Sequence, residues 1–201
     1  MSAIDDAVAA IRAGGLAVIP TDTVYGLACT PYREEPVRAL GELKGRAPDQ
    51  PIAVVAARVD WLLECVPELR GRAGVVARAL LPGPYTLVLP NPARRFPWLT
   101  GARPDTIGVR VPDLGGPGAE VLGRVGAVAA TSANLHGGVD PCRVADVPPE
   151  IRAASVVVDG GKLPGLPSTV IDLTGAEPHV SRESAVAAAD ALARVAEVLA
   201  Q

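Results

Sequence analysis

Short polar segments set against apolar runs carry the side chains of this chain that could do chemistry. Pro20-Thr21-Asp22-Thr23-Val24-Tyr25-Gly26-Leu27 crowds hydroxyls, a carboxylate and a glycine behind the run Leu16-Ala17-Val18-Ile19. That run reads as a buried strand, and open α/β sheets bind ligands beyond the carboxyl ends of their strands; an ordinary turn also fits. Lys44-Gly45-Arg46 places two cations about a glycine at the end of a helix. A lysine point charge and an arginine fork suit a polyphosphate, and basic residues there equally compensate a helix C-terminus. In Thr131-Ser132-Ala133-Asn134, Ser132 and Asn134 can bond a carboxylate or phosphate, or close a turn. Thr106 and Arg110 are four apart in an apolar strand and share a face. Burying Arg110 requires an anionic partner, either internal or a substrate carboxylate. Ser168-Thr169 opens another strand, and Arg182 falls in the loop before the last helix, where a solvated arginine is the plain alternative. The run Leu81-Pro82-Gly83-Pro84-Tyr85-Thr86-Leu87 reads as a rigid turn needing no ligand.

These segments need a scaffold of alternating elements. Residues 3–13 read as a helix with Ile4, Val8 and Ile11 on one face, stopped by Gly14-Gly15. Further helices are expected at 35–44, 58–65, 72–81, 117–125 and 184–200. Strands are expected at 16–20, 52–55, 85–89, 107–111, 127–130, 156–158 and 170–173. The alternation gives an α/β class. The gap between 85–89 and 107–111 leaves no room for a crossover helix, so part of the sheet is antiparallel. The Pro/Gly-rich stretches 90–104, 112–118 and 159–167 read as loops, with core-like strands resuming after each. The expectation is one domain, 1–201.

Composition narrows the function. Of 201 residues 49% are apolar but only 3% aromatic, so the core is built from Ala, Val and Leu. A net charge of −3 does not suit the molecule as a whole to wrapping nucleic acid. Lys44 and Lys162 are the only lysines among 19 basic residues, which makes an isolated lysine in a motif informative. Cys29, Cys65 and Cys142 are odd in number and widely spaced, and His136 and His179 are the only histidines. A disulfide framework and a zinc site are both poorly supported, and a reduced compartment fits. With no signal segment or membrane-length apolar run, a cytoplasmic protein is expected.

Taken in order, these motifs resemble the YrdC-like family of threonylcarbamoyl-AMP synthases. The pieces are Pro20 to Leu27, Lys44-Gly45-Arg46, Leu81 to Thr86, Gly108-Val109-Arg110-Val111-Pro112, Ser132-Ala133-Asn134, Ser168 to Asp172, and Arg182. Each alone is weak, but seven in register from about residue 4 to about residue 190 are specific. The resemblance implies an open, twisted mixed sheet flanked by helices, with a large concave cavity, in the short single-domain form. It implies synthesis of L-threonylcarbamoyl-adenylate from L-threonine, bicarbonate or CO₂, and ATP, with release of pyrophosphate. A separate tRNA threonylcarbamoyl-transfer complex would pass the group to the adenosine beside the anticodon. By resemblance Thr23, Arg110, Ser132 and Ser168 hold L-threonine. Lys44, Arg46, Thr106, Asn134 and Arg182 face ATP, with Lys44 and Arg46 as the catalytic cations. Magnesium would ride on the phosphates, held by nucleotide and water rather than by protein ligands.

The chain departs from the family pattern at Leu114, where a histidine is common, at His136, where serine is usual, and at Arg182-Glu183-Ser184, where Arg-Pro-Gly is usual. Two other functions share this resemblance. A structured-RNA-binding module would use a local patch such as Arg94, Arg95 and Arg103, and a contact with tRNA could lie there. A diverged carbamoyltransferase would use carbamoyl-adenylate.

Overall fold

The computed structural model describes residues 2–66 and 71–200. Its strands are β1 (Ala17–Pro20), β2 (Tyr25–Cys29), β3 (Ala53–Ala56), β4 (Tyr85–Pro90), β5 (Thr106–Arg110), β6 (Ala127–Ser132), β7 (Val156–Val157), β8 (Thr169–Asp172) and β9 (His179–Arg182). The helices are α1 (Ala3–Ala13), α2 (Glu34–Lys44), α3 (Val59–Cys65), α4 (Arg72–Leu80), α5 (Gly116–Val125), α6 (Pro149–Ala153) and α7 (Ala188–Leu199). All nine strands join one sheet in the order β7-β1-β2-β6-β3-β5-β4-β8-β9. The pairs β1–β7, β3–β5 and β4–β8 are parallel and the rest antiparallel. The mixed α/β class and the antiparallel pairing of β4 with β5 follow the expectation from sequence.

Local chemistry explains the elements that matter for the site. Ser2 and Asp5 cap α1 reciprocally, and Gly14 ends it in the left-handed conformation. Gly45 at φ 67° ends α2, its N–H bonded to Glu42 O while the Arg46 N–H reaches back to Gly41 O. This Schellman turn leaves Lys44 as the last helical residue, facing inward, and swings Arg46 beyond the helix. Between β1 and β2, Thr21 Oγ1 donates to Val24 O at 2.7 Å and accepts from the Thr23 and Val24 N–H groups at 3.3 Å. The hydroxyl fixes a tight loop, with Pro20 paired to Tyr25 across the strands.

The two faces of the sheet are covered unequally. One carries α2, α3, α4, α6 and α7, whose Val37, Leu40, Leu62, Val76, Leu80, Ile151 and Val195 pack on Leu27, Val54, Leu87, Val109 and Ile171. The other carries α1 and α5, which bury Ala17, Ile19, Ala28, Val55 and Val128. Beyond α5 the inner strands stay partly open: Thr86 and Val88 on β4, Gly108 on β5, Ala53 on β3, and Ala130 and Ser132 on β6 are only half-buried. Small residues on adjacent strands thus floor a helix-free groove beside α5 in the middle of a wide sheet.

Two strands escaped the sequence reading. Every residue of β2 is buried, so no alternation marks it. Strand β9 is polar and largely exposed, and its pairing with β8 makes it a strand. Arg182 therefore ends an edge strand opposite Val170 rather than lying in a loop. Helix α7 begins at Ala188, later than expected, because Ser184 N–H and Val186 N–H bond Thr169 Oγ1 instead.

Candidate active site

The cations that sequence scattered over 138 positions gather about the groove, Lys44 and Arg46 placed by the end of α2, Arg110 by β5 and Arg182 by β9. Lys44 comes from the end of α2 and is 4% exposed. Its Nζ donates to Ser132 O at 2.7 Å, to Asn134 O at 2.8 Å and to Asn134 Oδ1, with Ser132 Oγ at 3.4 Å. An ammonium has three protons, and three carbonyl oxygens take them. Lys44 thus clamps the turn after β6, reinforced by the His136 N–H on Lys44 O at 2.8 Å. Burial, and after it the Arg46 charge, brings the Lys44 pKa down to about 8, with Asp140 opposing. Asn134 Oδ1 also accepts from Ser132 Oγ at 2.7 Å, and its Nδ2 donates to Gly138 O at 2.5 Å and Asp140 Oδ1 at 3.3 Å.

Arg46 donates to Pro51 O at 2.6 Å and Gln50 O at 3.5 Å. Arg182 donates through Nε and NH2 to Ser168 O at 3.2 and 2.8 Å, and through NH2 to Ser168 Oγ at 3.2 Å. Desolvation by the surrounding protein holds both guanidinium groups below the ordinary arginine range, although Arg182 keeps one side in solvent. Each also feels another arginine: Arg46 feels Arg182, and Arg182 feels Arg110 with Asp140 opposing.

Arg110 ends β5 and is 8% exposed. Its NH2 donates to Asp22 Oδ1 and, at 2.9 Å, to Thr23 Oγ1. Asp22 Oδ2 accepts the Asp113 N–H at 3.1 Å, tying the β1–β2 loop to the segment after β5. The internal carboxylate expected for Arg110 is therefore Asp22. Yet Arg110 Nε is buried with no acceptor among the described residues. A buried guanidinium N–H without an acceptor, beside a bonded NH2, leaves one donor of the Arg110 fork unsatisfied.

The structure thus brings together Thr23, Lys44, Arg46, Arg110, Ser132, Asn134, Ser168 and Arg182. Thr106 stands apart: its Oγ1 donates to Arg103 O at 3.0 Å, and strand geometry puts it ~13 Å from Arg110 along β5. Asp22, Thr86 and Asp140 belong to the cluster but received no role from sequence. Asp22 and Thr86 lay inside recognised motifs, whereas Asp140 sits in a turn with no motif signal. Among the described residues no three Asp, Glu, His or Cys side chains could hold a metal. A magnesium ion carried by phosphates and water fits such a donor set, and a protein-caged ion does not.

Fold and site together define an α/β protein with an arginine-rich groove on the open face of a mixed sheet. Residues 9–184 match the Sua5/YciO/YrdC family model, described as telomere recombination, and the chain belongs to this family. It is 36% identical over 163 residues to the threonylcarbamoyl-AMP synthase of Xanthomonas oryzae, covering 78% of this chain and 85% of that one. Among solved structures it resembles Pyrococcus abyssi Sua5 complexed with L-threonine, with a TM-score of 0.82 and 34% identity over 90% of this chain. The chain spans 54% of that longer protein. It also resembles Escherichia coli YciO, with a TM-score of 0.79, 26% identity, and coverage of 94% of this chain and 92% of that one.

Proposed function

We propose that this protein makes L-threonylcarbamoyl-adenylate from L-threonine, bicarbonate or CO₂, and ATP, releasing pyrophosphate. The observation that carries the reading is the gathering of Lys44, Arg46, Arg110 and Arg182 about one groove, with Asp22 and Asp140 as opposing acids, in a chain of net charge −3. Such a site is built for substrates bearing several negative charges. A relative named threonylcarbamoyl-AMP synthase and a neighbouring structure with L-threonine support the same substrates.

The unpaired Nε of Arg110 would take one oxygen of the threonine carboxylate, with Ser168 toward that carboxylate and Thr23 and Ser132 reading the remaining polar groups. The threonine amine adds to CO₂ and loses a proton, giving a carbamate. A carbamate oxygen attacks the α-phosphorus, the bond to the β-phosphate oxygen breaks, and pyrophosphate leaves. No covalent bond to the protein forms. Arg46 and Arg182 would face the phosphates, and Asn134 would be held for the nucleotide by Lys44. Magnesium bound to the phosphates would neutralise part of their charge. Positioning and electrostatic stabilisation then supply the catalysis.

The adenylate would be consumed by a tRNA threonylcarbamoyl-transfer complex acting next to the anticodon. A cytoplasmic place accords with free Cys29 and Cys142 and with the lack, among the described residues, of a helix long and apolar enough to cross a membrane. An RNA-binding reading loses one member of its patch, since Arg103 is bonded to Asp172 and Thr174, both at 2.8 Å.

The test is pyrophosphate release with ATP, magnesium and bicarbonate, with and without L-threonine, and mass spectrometry for the adenylate. Threonine-dependent release with that product is expected. Release independent of threonine, or turnover of carbamoyl phosphate instead, would overturn the reading.

A further inference from the structure

Thr86 stands on β4 with its side chain half-buried on the groove floor. The turn before it is anchored on both sides: the Gly83 N–H bonds Val111 O at 2.9 Å, and the Thr169 N–H bonds Pro84 O at 3.0 Å. Tyr85 pairs with Thr169 and Thr86 with Val170 in this parallel register, so the Thr86 hydroxyl reaches diagonally back to Ser168, just before β8. Thr86 Oγ1 lies 2.8 Å from Ser168 Oγ, which is itself 3% exposed.

A serine hydroxyl has one proton and two lone pairs. Arg182 NH2 occupies one lone pair at 3.2 Å and, being donor-only, cannot accept in return. The hydrogen bond to Thr86 can run either way. If Thr86 donates, both lone pairs of Ser168 are filled and its proton is turned out toward the groove. If Ser168 donates, it turns a lone pair toward the groove and repels an incoming carboxylate. Only the first arrangement serves an anionic ligand.

We propose that Thr86 is a positioning residue: it donates to Ser168 and aims the Ser168 hydroxyl proton at the carboxylate of the bound amino acid. The inference rests on the function proposed above and gives the turn Leu81 to Thr86 a purpose beyond turn-making: it delivers one hydroxyl to one other.

The test is calorimetric titration of L-threonine into the wild type, Thr86→Val, Thr86→Ser, Ser168→Ala and the Thr86→Val/Ser168→Ala double variant. Valine keeps the shape of threonine and removes the hydroxyl; serine keeps the hydroxyl. Ser168→Ala is expected to weaken binding about tenfold or more, and Thr86→Val about five- to tenfold, as for lost hydrogen bonds. Thr86→Ser should bind as the wild type. The double variant should bind no worse than Ser168→Ala, because Thr86 acts only through Ser168. In turnover, Thr86→Val should raise the threonine KM while kcat and the ATP KM hold, whereas general disruption moves all three. Wild-type binding by Thr86→Val beside a weakened Ser168→Ala overturns the inference alone, as do losses that multiply in the double variant. Undiminished binding by Ser168→Ala, or no threonine binding by the wild type, overturns the proposed function and the inference with it.

Discussion

Asp22 and Arg110, 88 positions apart, form an ion pair whose side chains are only 11% and 10% exposed, and the second carboxylate oxygen of Asp22 holds the Asp113 N–H. The pair joins the β1–β2 loop to the segment that follows β5. It also fixes the guanidinium with its Nε lacking an acceptor among the described residues.

Removing the carboxylate should therefore leave a buried charge unpaired. Asp22→Ala is expected to cost about 3 kcal/mol of folding stability, read by urea denaturation. Asp22→Asn retains an acceptor for Arg110 and should lose clearly less. Equal losses for the two variants would show that a neutral acceptor contributes nothing and that the carboxylate charge alone carries the pair.

Lys44 makes a prediction in pH. Its folded pKa of about 8 lies below the unfolded 10.5, so between those values the unfolded chain binds more protons. Stability attributable to Lys44 must then rise with pH across that window, by up to about 1.4 kcal/mol per pH unit. Below pH 8 both states are protonated and the contribution is flat. The measurement is unfolding free energy against pH for the wild type minus that for Lys44→Met, in which all other titrations cancel. A difference that is flat from 8 to 10 would mean the carbonyl clamp holds the full charge despite burial.

Arg46 and Arg182 are expected to act on the nucleotide rather than on the fold, since each rests on backbone carbonyls and has donors left over. Arg46→Ala and Arg182→Ala should each lower adenylate formation about a hundredfold, with melting temperatures near the wild type. Arg182→Ala should also disturb threonine binding through Ser168, which Arg46→Ala should leave alone. Single-turnover pyrophosphate release and threonine titration separate the two.

Gly45 and Gly118 test two different uses of glycine. At Gly45 a Cβ would meet nothing within 4 Å, so Gly45→Ala should cost only the left-handed strain at φ 67°, about 1 kcal/mol. That is a fall in Tm of about 2–4 °C. At Gly118 a Cβ would lie 2.2 Å from Pro20 O, backbone against backbone. Gly118→Ala must push α5 away from β1, and both its melting temperature and its threonine affinity should fall further than those of Gly45→Ala.

The sequence by itself determined the α/β class, most element positions and the identity of the reactive side chains. Caps, glycines and apolar periodicity are local, and local chemistry is legible one segment at a time. The stop at Gly45 and the helical face of Ile4, Val8 and Ile11 needed no partner to be read. What the tertiary structure decided was everything that depends on who stands opposite. Strand β2 is buried on both faces and β9 is polar, so only their neighbours in the sheet make them strands. Lys44 read as a phosphate-facing cation or as compensation of a helix end, and its clamp on the turn after β6 arises because Ser132 and Asn134 supply three carbonyl oxygens from another element. Arg110 could have met a substrate or an internal acid, and the β1–β2 loop brought Asp22 to it. Thr106 shares a motif with Arg110, yet strand rise sets it at the other end of β5. Hydrogen-bond partners and burial are properties of pairs distant in sequence, and no single segment encodes them.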